Sequence, residues 1–251
     1  MRHTAAPMIE LRLTTWNVLH RVHAVNWGED AVEAFPDERE RIKRVSQTVR
    51  RWLGSGTSVV CLQEVSGDQL ASLRGHVGSS AVVFDHLYPR MPRRRQPGPP
   101  LLDDASEHLV VLSALPDARF VESQTFSTDP GKGFLAVDLG GARVIATHVT
   151  YGDRRAGQLA ALVRAARTAG GPAVLLGDFN AEAEVVRAAL GEGFVLSDLT
   201  GQPGTRVATS SSKAHTIDHL AALRAEVQSA RVLDGEGLSD HNPVEAVLRL
   251  G

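Results

Sequence analysis

Three short motifs in the second half of the sequence combine acidic residues with an amide or an imidazole. They are Gly177-Asp178-Phe179-Asn180, Ile217-Asp218-His219 and Ser239-Asp240-His241. The first two follow apolar residues, which predict short buried strands that end in polar side chains at the edge of a sheet. Carboxylates hold Mg²⁺ or Mn²⁺, whereas neutral amides and imidazoles contact phosphate without repelling it. The motifs therefore predict metal-dependent chemistry on a phosphate ester.

Three further polar residues end apolar runs earlier in the chain than these motifs: Asn17, Glu64 and His148. The strand that carries Asn17 is predicted to begin near Ile9. A lone carboxylate at the end of a buried strand is costly unless it has a partner. Glu64 is therefore either a metal ligand or the partner of an arginine. Asn17 and His148 taken alone are equally compatible with a turn-forming amide and a hydrogen-bonded histidine.

In this order the motifs resemble the endonuclease/exonuclease/phosphatase superfamily. The group includes pancreatic-type DNases, abasic-site endonucleases, deadenylases, sphingomyelinases and inositol-phosphate 5-phosphatases. The resemblance runs from about Leu11 to Val244. It implies a four-layer α/β sandwich, in which two packed mixed β-sheets are flanked by helices and the site lies at one edge. It also implies an enzyme that hydrolyses phosphoester bonds with Mg²⁺ or Mn²⁺.

The resemblance implies which residues would bind the metal and the phosphate. Asn17, Glu64 and Asp240 would be metal ligands, and Asn17 would also help to place the phosphate. His148 would contact the phosphate directly. All four residue types are present at the matching positions.

The resemblance also implies how water and the leaving oxygen would be handled. Asp178 would orient or deprotonate the attacking water, and Asn180 would stabilise the developing oxyanion. Asp218 would orient His241 and stabilise its protonated form, as the carboxylate does in hydrolytic triads. His241 would act as a general acid or as electrostatic support.

One predicted strand departs from the family pattern Gly-x-Ala-Ile-Leu-Ser-Arg. The chain has Glu107-His108-Leu109-Val110-Val111-Leu112-Ser113-Ala114 there. The small residue where the strand begins and the arginine after the serine are both missing. His108 either lies near the scissile phosphate and binds substrate, or is a surface histidine where the strand starts.

Residues 88–104 combine five prolines with four arginines. Such proline density excludes regular secondary structure and predicts an extended loop. Arg93, Arg94 and Arg95 in this loop would form a flexible arm that attracts phosphate, with salt-dependent binding. A solvated, disordered segment is the alternative. Trp27 and Tyr88 are the best candidates for stacking on bases.

The segment Asn17-Val18-Leu19-His20, with residues 35–39, resembles the deadenylase and Angel-like branch. This similarity favours a nuclease or 3′-end phosphoesterase that acts on RNA or single-stranded nucleic acid. The alternative is a phosphatase or phosphodiesterase for a nucleotide, an inositol phosphate or a lipid head group. A non-catalytic binding module on the same fold should have lost a residue such as Glu64, Asp178 or His241, and all are present.

Length and composition set the remaining expectations. The motifs spread over most of the 251 residues, so one domain over residues 1–251 must bring both ends together. A net charge of -2 gives no overall attraction to nucleic acid or anionic membranes. Cys61, the single cysteine, is expected in the core. Without a signal peptide or a run of about 20 apolar residues, we expect a cytoplasmic monomer that does not enter membranes.

Apolar periodicity predicts four helices. They span residues 38–54, 67–73, 154–168 and 182–190. Asp37 and Ser66 are the expected N-terminal capping residues of the first two. No other helix is predicted between Asn17 and Glu64. Gly140 and Gly141 predict a tight hairpin turn.

Overall fold

The computed structural model describes residues 9–209 and 213–250, which form twelve β-strands and six α-helices. The strands are β1 (Ile9–Asn17), β2 (Val59–Ser66), β3 (Val82–Leu87), β4 (Glu107–Ser113), β5 (Arg119–Phe126), β6 (Asp129–Asp138), β7 (Arg143–His148), β8 (Ala173–Asp178), β9 (Phe194–Leu196), β10 (Asp218–Leu223), β11 (Glu226–Val232) and β12 (Val244–Leu250). The helices are α1 (Arg21–Trp27), α2 (Ala31–Ala34), α3 (Glu38–Gly54), α4 (Gly67–Val77), α5 (Arg155–Arg167) and α6 (Ala183–Leu190).

The strands form two mixed sheets of six strands each. The first sheet has the order β11-β12-β1-β2-β4-β3, and the second has the order β5-β6-β7-β8-β10-β9. Each sheet contains one parallel pair, β1 with β2 and β7 with β8, and the other pairs are antiparallel. Parallel neighbours end at the same edge of a sheet, so the two central pairs bring four strand ends to one side of the molecule.

Three apolar layers hold the fold together. The layer between the sheets includes Leu13, Cys61 and Leu176, all buried. The outer face of the first sheet packs on α3 and α4, and that of the second packs on α5 and α6. The result is the predicted four-layer sandwich of helices, two sheets and helices. Cys61 occupies the expected core position, where burial raises the pKa of its thiol.

The predicted helices and the hairpin are present. The Asp37 side chain accepts a hydrogen bond from Arg39 N at the start of α3, and Ser66 accepts one from Gln69 N at the start of α4. Helix α4 extends four residues beyond the predicted end. Gly140 adopts a φ of 80° in the turn between β6 and β7. No helix within the described ranges is long and apolar enough to span a membrane.

Two elements near the site differ from expectation. Helix α1 was not predicted because its N-cap is His20, whose Nδ1 accepts from Val22 N over 3.2 Å in place of the usual Ser, Thr, Asp or Asn. Asp218 begins strand β10 instead of ending a strand. Because β10 runs antiparallel to β8, its first residue lies opposite Asp178, the last residue of β8.

Candidate active site

The strand ends bring the predicted residues to one edge of the sandwich. In the second sheet His148 lies beside Asp178, and Asp178 lies beside Asp218. The Asn17 side chain connects this sheet to the first. Its Nδ2 donates to Glu64 Oε1 over 3.1 Å and to Asp178 Oδ2 over 3.2 Å. One amide therefore holds two carboxylates from opposite sheets.

The backbone around this junction adopts conformations that side-chain-bearing residues rarely accept. Glu64 has a φ of 57°, Asn180 a φ of 47° and Leu19 a φ of 59°. These are three of the five non-glycine residues with positive φ in the described part of the chain. Such strain persists where the surrounding structure enforces it, and it is concentrated at functional sites.

Glu64 is held as an ionised carboxylate. Its Oε2 accepts a hydrogen bond from His20 N over 3.1 Å. Burial on its own raises the pKa of Glu64, but nearby positive charges, first that of His23 and then that of Lys132, hold this pKa well below its usual range. An ionised oxygen donor at this position suits a hard divalent cation.

Asp178 lies between donors from both directions. Its Oδ2 is 3.3 Å from His148 Nε2, and its Oδ1 accepts from Asn180 N over 2.8 Å. Burial opposes ionisation, yet the hydrogen bond and the charge of His148 hold the pKa of Asp178 well below its usual range. The Asn180 side chain donates to Val149 O over 2.9 Å, which fixes its amide beside the same strand ends.

Lys132 is a site residue that no sequence motif indicates. Its Nζ lies 2.5 Å from His148 Nε2 and 3.1 Å from Nδ1. The only signal in the sequence is its position between Gly131 and Gly133. Gly133 must lack a side chain, because a Cβ there would lie 2.2 Å from Gln124 O. Lys132 therefore enters the site where two strands approach closely.

His241 and Asp218 form a buried pair on the opposite side of Asp178. His241 Nδ1 is 2.8 Å from Asp218 Oδ2. Trp16 Nε1 donates to His241 O over 2.8 Å and fixes the backbone of the loop. Burial would lower the pKa of His241, but the surrounding carboxylates, foremost Asp218, raise it to about 10. The imidazole is therefore a donor at neutral pH.

Asp178, Asp218 and His241 also form a group that could hold a metal ion, since one ligand atom of each lies within 4.8 Å of the others. The geometry does not bring Asp240 into this group. Its Oδ2 pairs with Arg206 Nη2 at 3.1 Å, and burial raises its pKa.

Arg206 connects Asp240 to a second acidic residue. The Nη2 atom that pairs with Asp240 also lies 3.0 Å from Glu29 Oε1. Asp240 and Glu29 therefore share the Arg206 guanidinium next to the site.

His108 lies outside the site, which corrects the prediction that it binds substrate. Its side chain is on the outer face of β4, with Val110 and Leu112, because side chains alternate along a strand. His108 Nδ1 is 3.0 Å from Asp85 Oδ2, and Nε2 is 3.0 Å from Ser106 Oγ. It is a buried, hydrogen-bonded histidine, and the surface alternative is wrong as well.

The arginine-rich loop packs on α1 and is not a free arm. Asn26 Nδ2 donates to Arg93 O over 2.9 Å, and Asn26 Oδ1 accepts from Arg95 N over 2.8 Å. The Arg95 guanidinium lies 3.8 Å from the centre of the Trp27 ring, and Trp27 remains 64 % exposed. Arg94 is partly buried and donates to a carbonyl within the loop.

Tyr88 is not available for stacking on bases. Its ring is 2 % exposed and belongs to the layer between the sheets, where it meets His86 edge-on at 5.3 Å. Of the two predicted stacking residues, only Trp27 is exposed.

Gly177, next to Asp178, has a conformation and surroundings that no side chain fits. Its φ is 150°, and a Cβ would lie 2.0 Å from Thr147 O on the neighbouring strand. We therefore expect Gly177→Ala to lower the free energy of unfolding by about 2–4 kcal/mol, because strands β7 and β8 must move apart. Urea denaturation followed by circular dichroism measures this change.

Gly157→Ala is the matched control with the opposite expected sign. Gly157 lies within helix α5, and a Cβ there meets nothing within 4 Å. Alanine should raise the free energy of unfolding by about 0.5–1 kcal/mol at this position. Equal effects of the two substitutions would contradict the proposed constraint at Gly177.

Comparisons with known proteins agree with the fold. The profile of the Endonuclease/Exonuclease/phosphatase family matches residues 14–241. An endonuclease/exonuclease/phosphatase family protein from Bacteroides thetaiotaomicron superposes with a TM-score of 0.70 at 16 % identity, over 98 % of this chain and 97 % of that one. A comparison with functionally curated proteins gives no match.

Two further solved structures have similar folds. An endonuclease/exonuclease/phosphatase from Beutenbergia cavernae DSM 12333 is 22 % identical with a TM-score of 0.69, over 96 % of this chain and 72 % of that one. TDP2 of D. rerio, solved with a single strand DNA product, is 14 % identical with a TM-score of 0.69, over 95 % and 98 %. Similarity at this level shows the fold and does not assign the chain to a branch of the family. The likeness to deadenylases therefore stays a prediction. The family match over most of the sequence places the chain in the endonuclease/exonuclease/phosphatase family, as a phosphoric ester hydrolase.

Proposed function

We propose that the protein is a Mg²⁺- or Mn²⁺-dependent nuclease or 3′-end phosphoesterase that acts on RNA or single-stranded nucleic acid. One observation carries the proposal: an amide holds two ionised carboxylates, Glu64 and Asp178, opposite the Asp218–His241 pair. This arrangement offers anionic oxygens for a cation and protonated donors for a phosphate within one small volume.

The residues present suit a hard divalent cation. Glu64 and Asp178 are ionised oxygen donors, which Mg²⁺ and Mn²⁺ prefer over nitrogen or sulfur. When bound, the ion would neutralise charge on the phosphate oxygens. Asn17 Oδ1 accepts a hydrogen bond from Leu19 N over 3.0 Å. The amide nitrogen of Asn17 therefore faces Glu64 and positions its carboxylate. Asp240 would join the ion as a further oxygen donor by exchanging its contact with Arg206.

The remaining side chains would act on water and on the phosphate. Asp178 accepts hydrogen bonds and would orient the attacking water towards the phosphorus. Lys132 and His148 would donate to non-bridging oxygens, and Asn180 would stabilise the developing negative charge. His241 Nδ1 is committed to Asp218, so its Nε2 would donate to the phosphate or to the leaving oxygen.

The surface next to the site supports a nucleic-acid substrate. Trp27 and Tyr151 are large exposed aromatic residues, at 64 % and 81 %, on chain segments that leave the site. The Arg95 guanidinium stacks on Trp27, and Arg93 lies exposed beside it. Stacking surfaces next to cations are typical of proteins that bind single strands. D. rerio TDP2, which has the same fold, was solved with a single strand DNA product.

The proposal is tested by hydrolysis of one substrate panel in Mg²⁺, Mn²⁺ and EDTA. The panel holds single-stranded RNA with 3′-hydroxyl, 3′-phosphate and 2′,3′-cyclic ends, single- and double-stranded DNA, nucleotides and inositol phosphates. We expect EDTA-sensitive processing of the single strands. Turnover of the small phosphates alone would replace this proposal with the phosphatase alternative, and no turnover at all would leave a binding module.

The arginine loop gives a prediction about salt. Replacing Arg93, Arg94 and Arg95 by alanine should weaken single-strand binding and flatten the slope of log affinity against log salt by about 0.7 for each of the three that contacts a phosphate. Fluorescence anisotropy at several salt concentrations measures this slope.

A triple variant on another face controls for lost positive charge. Arg44, Arg50 and Arg51 are exposed on α3. Their replacement by alanine removes the same net charge and should leave the slope unchanged. A slope that responds equally to both triple variants would remove the loop from the binding surface.

A further inference from the structure

Three buried polar atoms next to Glu64 have no hydrogen-bond partner within the described residues. They are His20 Nε2, Tyr88 Oη and Glu107 Oε1. The three side chains are each at most 2 % exposed. Unpaired buried polar groups are costly and scarce in folded proteins. Three of them beside a candidate active site therefore indicate a place where a polar group from outside the chain binds.

The three side chains belong to one cluster. Tyr88 N donates to Glu107 O over 2.9 Å, so these two residues are neighbours at the edge of the first sheet. Glu107 Oε2 is 3.2 Å from His23 Nε2, and the His20 and His23 rings lie 5.4 Å apart. The cluster touches the site because His20 N donates to Glu64 Oε2.

Glu107 is the first residue of strand β4, and its side chain faces the side of the sheet opposite to that of His108. Because His108 points outwards, Glu107 faces the layer between the sheets together with Leu109. Strand β4 therefore places the Glu107 carboxylate beside His23 and the candidate site.

The hydrogen-bonding character of each atom is fixed by its surroundings. His20 Nδ1 accepts from Val22 N, so the neutral ring carries its proton on Nε2, which makes Nε2 a donor and not a metal ligand. The Tyr88 hydroxyl can serve as a second donor beside His20 Nε2. Glu107 Oε1, a carboxylate oxygen, can only accept a hydrogen bond.

The negative charge of Glu107 is already compensated. Burial on its own raises the pKa of Glu107, but the hydrogen bond and charge of His23, followed by Lys132, lower it. A cation is therefore not needed there, and a second phosphate would meet the carboxylates of Glu107 and Glu64. Two donors and one acceptor match a hydroxyl group, which donates one hydrogen bond and accepts two.

We propose that His20 Nε2, Tyr88 Oη and Glu107 Oε1 bind the 2′-hydroxyl of the ribose next to the phosphate that is hydrolysed, so that the protein selects RNA over DNA. This inference rests on the proposed function. The cluster reaches solvent where a substrate would lie, at His23 and Glu64, whose side chains are 25 % and 13 % exposed. A deoxyribose leaves all three atoms unpaired.

The test compares single-stranded RNA with the same sequence carrying one 2′-deoxy nucleotide, walked through the positions around the cleaved bond. The wild-type kcat/KM should fall about 10- to 100-fold at one position, since that analogue loses hydrogen bonds to a charged and two neutral groups. In Glu107→Gln and Tyr88→Phe the ribose-to-deoxyribose ratio should fall towards one. His20→Asn should do the same, while its amide can still cap α1.

His108→Asn is the matched control, since His108 is adjacent on the same strand and faces the other side. It should keep the wild-type ratio. Thermal melting of each variant checks folding, and Tyr88→Phe, which removes one oxygen atom, serves if Glu107→Gln does not fold. Binding of the ribose and deoxyribose strands, measured by anisotropy, gives a readout that does not require turnover and should show the same preference.

The outcomes separate the inference from the proposed function. If the wild type hydrolyses or binds the strands with a ribose-to-deoxyribose ratio near one, the inference is overturned and the proposed function is not. A large ratio that Tyr88→Phe and Glu107→Gln leave unchanged also overturns it and makes the cluster a place for bound water. Ribose-selective binding without hydrolysis supports the inference and overturns the hydrolytic function. The absence of both binding and hydrolysis overturns both.

Discussion

Glu64→Gln should lower the rate of metal-dependent hydrolysis about a thousandfold or more while the protein stays folded. A metal ion contributes several kcal/mol of charge stabilisation in phosphoryl chemistry, and each 1.4 kcal/mol is a factor of ten in rate. The glutamine has the shape of glutamate and an oxygen that can still accept from Asn17 Nδ2 or His20 N. The substitution therefore removes the charge and keeps most of the local contacts.

The measurement is kcat/KM on the best substrate of the panel across a Mn²⁺ titration, with circular dichroism to check the fold. The variant should need a higher Mn²⁺ concentration and should not reach the wild-type rate at saturation. Glu245→Gln is the matched control, because Glu245 is also a buried carboxylate in the first sheet but pairs with Arg231 away from the site. Equal turnover in Glu64→Gln and the wild type would remove Glu64 from the metal site.

The strand ends could be predicted from the sequence because each is a local signal. Apolar residues followed by one polar residue identified Asn17, Glu64, His148 and Asp178 one at a time, and the structure brings these four together. Their proximity follows from two parallel strand pairs at the centres of two sheets, which share one edge. Strand order is a property of the whole chain, and here the family resemblance supplied it.

The residues that the sequence did not reveal have no local signature. Lys132 looks like an ordinary surface lysine until strand β6 pairs with β7 and places it on His148. Glu107 and His108 are consecutive and equally polar, so only the alternation and register of β4 decide which of them faces the site. No helix is predicted after His20, because histidine is an uncommon N-cap.

For the arginine-rich loop, composition predicted the lack of secondary structure but not the contacts of the loop. Its composition excluded helix and strand, and the structure agrees. Composition could not reveal that Asn26 ties the loop to α1 through Arg93 and Arg95. Hydrogen bonds between side chain and backbone across more than sixty residues leave no periodic trace. The expectation of a free arm was therefore wrong, although the loop remains a candidate surface for phosphate.

Asp218→Asn should lower kcat about 10³- to 10⁴-fold. The effect is large even though, in the proposed mechanism, the Asp218 side chain would contact neither the attacking water nor the metal. Asp218 Oδ2 accepts from His241 Nδ1, and Asp218 makes the largest contribution to raising the pKa of His241. An asparagine can donate to Nδ1 through its amide, which would place the imidazole proton on Nε2 in the neutral tautomer. The equivalent change in hydrolytic triads costs about four orders of magnitude.

If Asp218 acts by keeping His241 protonated, Asp218→Asn should also change the pH profile. The protonated imidazole is the form that donates to the leaving oxygen, and carboxylates around it favour that form. Without the Asp218 charge the pKa of His241 falls, so activity should be lost as pH rises through a lower value than in the wild type. The alkaline limb of log kcat against pH should therefore move to lower pH in Asp218→Asn.

Asp198→Asn is the matched control for this pair. Asp198 lies in the exposed loop after β9, and its side chain accepts a hydrogen bond from Thr200 N over 2.9 Å. It should leave kcat and the pH profile unchanged. A loss of kcat in Asp218→Asn with an unmoved alkaline limb would mean that the Asp218 carboxylate positions the His241 ring without setting its protonation. A shifted limb instead ties the carboxylate to the proton on His241, because no purely structural contact of Asp218 depends on that proton.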